Sequence, residues 1–169
     1  VDWRLFAAQV HRNKITNTIS LWTAHHFQVD ATGTASNTGG REGARWYEIT
    51  NLTAAPTLVQ SGTLFDPAGS NPRYFAFPSV AMSGQGHMAL GSSIGGVGTR
   101  AEISVAGRYR TDALGTTQAF TLAQTSTTAY NLIAGDGRIR WGDYSQTVVD
   151  PTDDMTMWTF QEYCDANNS

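Results

Sequence analysis

The side chains best suited to binding a polar ligand are concentrated in residues 140–145. This segment reads Arg-Trp-Gly-Asp-Tyr-Ser and lies between a glycine-rich turn at residues 135–137 and a short apolar run beginning near Thr147. Flat aromatic rings cover the C–H face of a pyranose, and Arg and Asp bind its hydroxyls in fixed directions. The segment therefore predicts a sugar site in one exposed concavity. The predicted ligand-binding residues are Arg108, Arg140, Trp141 and Tyr144.

The same segment also fits a purely structural cluster. In that interpretation Arg140 and Asp143 form an ion pair, and Trp141 fills the core between strands. The sequence leaves both interpretations open, because it does not show which way the indole faces.

A second cluster occupies residues 158–163. Strand alternation places Trp158, Phe160 and Glu162 on one side. A carboxyl group beside two large apolar side chains is expected to have a raised pKa and could act as a general acid. With Asp143 as its partner, Glu162 would complete the carboxylate pair of a glycoside hydrolase. The alternative is that Glu162 pairs with an arginine at the end of a strand.

A sialidase-like mechanism would use a tyrosine nucleophile beside a glutamate, together with arginines that hold a carboxylate substrate. Glu162 and Tyr163 are adjacent, and Arg108 and Arg140 supply the guanidinium groups. The candidate catalytic residues are therefore Asp143, Glu162 and Tyr163. Whether the chain is an enzyme stays open at this point.

The elements that must position these residues are predicted to be strands. Apolar residues alternate over short runs separated by Gly, Asp and Ser turn residues, and no 12-residue segment has an apolar helical face. Two Gly/Ser/Thr-rich stretches, residues 32–43 and 92–99, are predicted to be exposed loops. The predicted strands cover residues 5–10, 19–24, 45–49, 57–60, 79–82, 87–90, 101–106, 119–123, 147–149 and 155–162.

Composition argues against several classes of partner. The net charge is −3, and the 11 Lys and Arg residues are scattered, so no basic stripe suits nucleic acid. No apolar run approaches the ~20 residues that span a bilayer. Cys164 is the single cysteine, and the adjacent His25 and His26 would point to opposite faces of a strand, so no metal site is predicted. The absence of a phosphate-binding or dinucleotide motif predicts no cofactor.

Similar strand-turn-strand units recur around residues 29–34, 80–90 and 148–158. In particular, residues 77–91 and 140–163 resemble secreted bacterial β-propeller proteins with sialidase-like (Asp-box-like) repeats. The resemblance implies an extracellular, all-β domain over residues 1–169, built as a partial propeller of about three four-stranded antiparallel blades. The strict Ser-x-Asp-x-Gly-x-x-Trp turn is absent, because Ala81 stands where Asp is expected. The resemblance therefore assigns no catalytic residue.

About three blades would leave sheet faces and edges uncovered, so we expect self-association or packing with further blades. Three functional hypotheses follow from these patterns. The first is a secreted carbohydrate-recognising segment, the second is a glycoside hydrolase acting on extracellular glycans, and the third is a structural repeat without a ligand.

Overall fold

A computed structural model describes residues 4–5 and 7–166, so Phe6 of the first predicted strand lies outside the described residues. Strands account for 49% of the described residues, which confirms the predicted all-β class. The described part contains no helix, and hence none that is long and apolar enough to cross a membrane. The strands are β1 (Ala7–Asn13), β2 (Thr18–Val29), β3 (Arg41–Thr50), β4 (Thr57–Leu64), β5 (Tyr74–Met82), β6 (Met88–Gly96), β7 (Thr99–Arg108), β8 (Thr121–Gln124), β9 (Gln146–Val149) and β10 (Met157–Phe160).

The strands form three antiparallel sheets. The first sheet has the order β1-β2-β3-β4, the second has the order β5-β6-β7-β8, and the third consists of β9 and β10 alone. Within each sheet, strands that are consecutive in sequence are neighbours, as the predicted tight turns require. Two of the about three four-stranded antiparallel sheets that the resemblance implies are therefore present, and the third sheet has two strands instead of four.

The predicted loop at residues 92–99 is mostly strand. β6 continues to Gly96, and Ser92, Ser93 and Ile94 are buried. The Ser92 and Ser104 hydroxyls, 2.8 Å apart, bond across β6 and β7. The small residues, whose composition is typical of a flexible loop, here belong to a strand and allow a neighbouring sheet to approach closely. The end of the predicted loop at residues 32–43 is likewise part of β3.

Large side chains join the first sheet to the second, in a contact named here the aromatic interface. Trp22 and Trp46 are almost fully buried and stack with ring centroids 5.6 Å apart. Alternation along β2 and β3 turns both indoles toward the second sheet. The second sheet contributes mainly aliphatic and sulfur-containing side chains to this core, among them Val80, Met82, Met88, Leu90 and Ile94.

Small and hydroxyl-bearing residues join the second sheet to the third, in a contact named here the hydroxyl interface. The Ser79 and Thr147 hydroxyls are 2.8 Å apart, and the Thr147 and Thr159 hydroxyls are 3.1 Å apart. A Cβ atom added to Gly91 would lie 2.2 Å from the Thr159 hydroxyl oxygen. The two layers therefore approach closely because glycine leaves room for the threonine.

Three hairpin turns, one from each sheet, are tied together at one end of the molecule. The Lys14 N–H donates to the Gly84 carbonyl (2.7 Å), and the Gly84 N–H donates to the Asp154 carbonyl (2.8 Å). The Asp154 carboxylate also contacts the Lys14 ammonium at 2.7 Å and the His11 ring at 2.6 Å. Lys14 and His11 lower the pKa of Asp154 by favouring its charged form.

Candidate functional site

Trp141 stands between two clefts. It belongs to the connection between β8 and β9, and its Nε1–H donates to the Ser93 hydroxyl at 3.1 Å. The Tyr130 ring meets the indole edge to face, with centroids 5.0 Å apart. Trp141 is half-buried and lies outside the hydrophobic core cluster. The indole therefore lies against the second sheet and is accessible from the surface.

The larger cleft, named here the Glu42 cleft, has a volume of about 680 Å³. It is bounded by β2 and β3 of the first sheet, by the start of β5, and by the segment around residues 138–143. Three of the residues predicted from the sequence line it. The ionisable and aromatic side chains in this cleft that could bind or react with a ligand are His26, Glu42, Arg138, Arg140, Trp141 and Asp143.

A buried histidine forms part of the floor of this cleft. His26 is 2% exposed, and its Nδ1 accepts the Phe77 N–H at 3.1 Å. Because a backbone amide can only donate, the ring proton of neutral His26 must reside on Nε2. Nε2 lies 3.9 Å from the Glu42 carboxylate oxygen Oε2. The ring therefore presents its N–H side to the carboxyl group.

Glu42 is a titratable group whose pKa this environment shifts. Strand alternation places it on the same face of β3 as Trp46, and its side chain is 23% exposed. Burial raises its pKa, because a partly desolvated carboxyl group favours its neutral form. A carboxyl group perturbed in this way and placed in a cleft is typical of functional sites.

The backbone beside His26 is strained. Phe77 has a φ of 50°, and the pairing of β5 with β6 is interrupted by a bulge between Ala76 and Ser79. The Phe77 carbonyl accepts the Ser145 hydroxyl while its N–H is held by His26. A bulky residue with positive φ persists only where its surroundings enforce it, and such positions are concentrated at functional sites.

Charged groups occupy the rim of the cleft. Arg140 is bound to Asp136 at 2.6 Å, within the preceding turn. The ion pair considered in the structural interpretation, between Arg140 and Asp143, is therefore replaced by a pair with Asp136. Asp143 is exposed at the rim. The side chains of Arg140 and Asp143 both face solvent, so a ligand bound above the floor of the cleft could reach them.

The smaller cleft, named here the Tyr130 cleft, has a volume of about 470 Å³ on the other side of Trp141. Glu162 and Tyr163 line it, and Glu162 also borders an adjacent cleft of about 350 Å³ that contains Tyr144 and Phe160. Asp143 and Glu162 thus line different clefts. Phe160 is 64% exposed, so it does not enclose the Glu162 carboxyl group.

Arg108 lies apart from the other predicted ligand-binding residues. It is 4% exposed in the aromatic interface, where its guanidinium carbon is 5.9 Å from the Trp46 ring centre. One of its amino groups donates to the Asp112 carbonyl at 2.9 Å. Burial lowers its pKa by disfavouring the charged form. The structure thus places Arg108 in the core region and not beside Trp141.

Sequence patterns alone did not predict His26, Glu42 or Tyr130 as site residues. Glu42 was assigned to an exposed loop, although strand alternation running back from Trp46 would have placed it on the inner face of β3. Among the described residues, no group of three or more His, Cys, Asp or Glu side chains is placed to hold a metal ion.

Comparisons of the chain with profiles of known protein families, with curated proteins and with solved structures find no match. The function of the chain is therefore inferred from the two clefts and from the residues that line them.

Proposed function

We propose that the chain is an extracellular carbohydrate-recognising module that binds a sugar in the Glu42 cleft. The observation that carries this proposal is the combination of a surface-accessible indole, Trp141, with polar groups on two sides of one cleft. Aromatic faces pair with the C–H side of a pyranose, and charged or polar groups select its hydroxyls.

Each group in the cleft has a distinct part in this proposal. Trp141 supplies the flat surface, and its hydrogen bond to Ser93 fixes the plane of the indole before the ligand arrives. Asp143 accepts hydroxyl protons at the rim. Glu42 can donate a hydrogen bond while it is protonated, which burial favours. Such preorganisation reduces the entropy lost when the sugar binds.

The test is a glycan array, followed by calorimetric titration of the oligosaccharide that binds. Trp141→Ala should abolish binding while the thermal midpoint stays within a few degrees of the parent. The matched control is Trp158→Ala, which removes an exposed indole from the opposite side of the third sheet and should leave binding unchanged. Loss of binding in Trp158→Ala, or unaltered binding in Trp141→Ala, would contradict the proposed site.

The proposal extends to architecture: the three sheets are successive blades of a partial β-propeller. In support, the sheets stack in chain order, and their first strands β1, β5 and β9 lie in mutual contact. Sheets that share such an edge radiate from it, as propeller blades do. A crystal structure would test this. The rotation that relates the first sheet to the second should be similar to the rotation that relates the second sheet to the third. Parallel layers would contradict it.

A second candidate function, glycoside hydrolysis, is favoured by the raised pKa of Glu42 in the same cleft as Asp143. Glu42 would protonate the departing glycosidic oxygen as the C–O bond breaks. Asp143 would take a proton from the water that attacks the anomeric carbon. Release of reducing sugar abolished by Glu42→Gln but retained in Glu162→Gln would support hydrolysis. Binding of a glycan without hydrolysis would contradict this second function and support carbohydrate recognition only.

A further inference from the structure

The outer face of the first sheet, turned away from the second sheet, carries a row of apolar side chains across all four strands. Val10 lies opposite Leu21, Leu21 opposite Ile49, and Ile49 opposite Leu58. The two ends of the row, Val10 and Leu58, are 58% and 56% exposed. Directly opposed side chains touch within a sheet, so the row forms one continuous patch. Monomeric soluble proteins rarely leave such a patch uncovered.

A second uncovered apolar face lies at the other end of the stack of sheets. Thr159 of β10 faces the second sheet, so Trp158 and Phe160 point away from it. These two side chains are 54% and 64% exposed. Within the part of the chain that the structure describes, one exposed apolar face therefore lies on the first sheet and another on the third.

The two faces carry opposite charges. On the first sheet, Arg12 lies opposite Ile19, and the Arg45 guanidinium carbon is 4.8 Å from the Phe27 ring centre. On the third sheet, Asp150 accepts the Trp158 Nε1–H at 3.1 Å, and Glu162 lines a cleft with Phe160. Opposite charges around apolar centres orient two surfaces toward each other and disfavour the pairing of like faces.

The chain itself already shows how one of its sheets covers another. The second sheet is covered by the first sheet on one face and by the third sheet on the other, in chain order. We propose that the chain associates head to tail, with the outer face of the third sheet in one copy covering the outer face of the first sheet in a second copy. Such a contact is heterologous, because each copy contributes a different surface. The proposal does not depend on sugar binding.

Sedimentation equilibrium over a concentration series tests this association. The wild-type chain should show a mass above the 18.3 kDa of one copy. Val10→Asp and Phe160→Asp each place a charge on one face, and each should weaken association at least ~10-fold. Both side chains are more than half exposed, so circular dichroism should show an unchanged fold. The control Val97→Asp changes a side chain that is 68% exposed at the β6–β7 turn and should associate as the wild type does.

Mixing the two variants is the decisive measurement. Val10→Asp keeps an intact third-sheet face and Phe160→Asp keeps an intact first-sheet face, so the mixture should recover association that neither variant shows alone. A wild-type chain that stays at 18.3 kDa at every concentration would overturn the proposal. So would association that survives in one variant and is lost in the other, because that pattern marks contact between like faces. If either variant unfolds, Leu58→Asp and Trp158→Asp provide the same test.

Discussion

The two faces of the second sheet are covered by very different kinds of side chain. In the aromatic interface, Trp22 and Trp46 stack against aliphatic and sulfur-containing side chains and bury large apolar surfaces. In the hydroxyl interface, Ser79, Thr147 and Thr159 meet through hydrogen bonds and a glycine gap. The two interfaces hold neighbouring layers of one chain, yet they draw on different physical forces.

This difference means that one interface mainly stabilises the fold and the other mainly fixes the positions of side chains. Burial of large apolar side chains provides most of the free energy of folding, and its strength depends little on direction. Hydrogen bonds between hydroxyls contribute less net free energy but require a fixed separation and orientation. Because Trp141 lies on the hydroxyl side of the second sheet, its position is fixed mainly by directional contacts. Four substitutions test this contrast.

The largest effect is expected from Trp46→Ala in the aromatic interface. Trp46 is fully buried, so its removal should lower the free energy of unfolding by about 3 to 5 kcal/mol. Chemical denaturation followed by circular dichroism measures this loss. The control Trp158→Ala removes an indole that is 54% exposed and should cost far less. Equal losses in the two variants would mean that the aromatic interface is not the main source of stability.

Gly91→Ala should break the hydroxyl interface alone. The new Cβ would lie 2.2 Å from the Thr159 hydroxyl oxygen and 2.6 Å from the Gln161 side-chain nitrogen. Forcing these groups apart should cost about 1 to 3 kcal/mol. Hydrogen exchange should show lost protection in β9 and β10, while β2 and β3 stay protected. Uniform loss across all strands would indicate that the two interfaces fold as one unit.

Thr147→Val should have a smaller effect, since it keeps the shape of the side chain and removes only the hydroxyl. It leaves the buried Ser79 hydroxyl without that partner, at a cost of about 1 to 2 kcal/mol. The double variant Ser79→Ala, Thr147→Val removes both polar groups and should recover part of the loss. A double-mutant cycle measures this coupling, and strictly additive losses would argue against a direct bond.

The smallest effect concerns the Glu42 cleft and depends on pH. Because burial raises the pKa of Glu42, the folded state holds this proton more tightly than the unfolded state does. The corresponding stability is present in acid and is lost as the pH rises through the folded pKa. Glu42→Gln should therefore be slightly more stable than the parent near neutral pH, with the difference disappearing in acid. The control is Glu162→Gln, which removes an exposed carboxyl group, and an equal gain there would contradict the assignment.

Period-two patterning was enough to predict the all-β class and a strand at each of the ten predicted runs, because alternation and turn residues are local properties. It was not enough for Ser92 and Ser93, whose small polar side chains are buried and hydrogen-bond to Ser104 and Trp141, respectively.

The candidate site was predictable where neighbours in sequence share a loop, as Arg140, Trp141 and Asp143 do. It was not predictable for His26 and Glu42, which reach that loop only through the packing of the first sheet against β5. The separation of Arg108 from Trp141 has the same cause, since the two lie on opposite faces of the second sheet.

The contacts that join the turns containing Lys14, Gly84 and Asp154 limit when the chain can finish folding. His11 and Asp154 are 143 positions apart, so their contact closes a loop that spans most of the chain and gains nothing from local structure. During synthesis, the turn after β1 can bind the Gly84 carbonyl once β5 and β6 have emerged, whereas its contacts with Asp154 form only after β9 and β10 have emerged and docked.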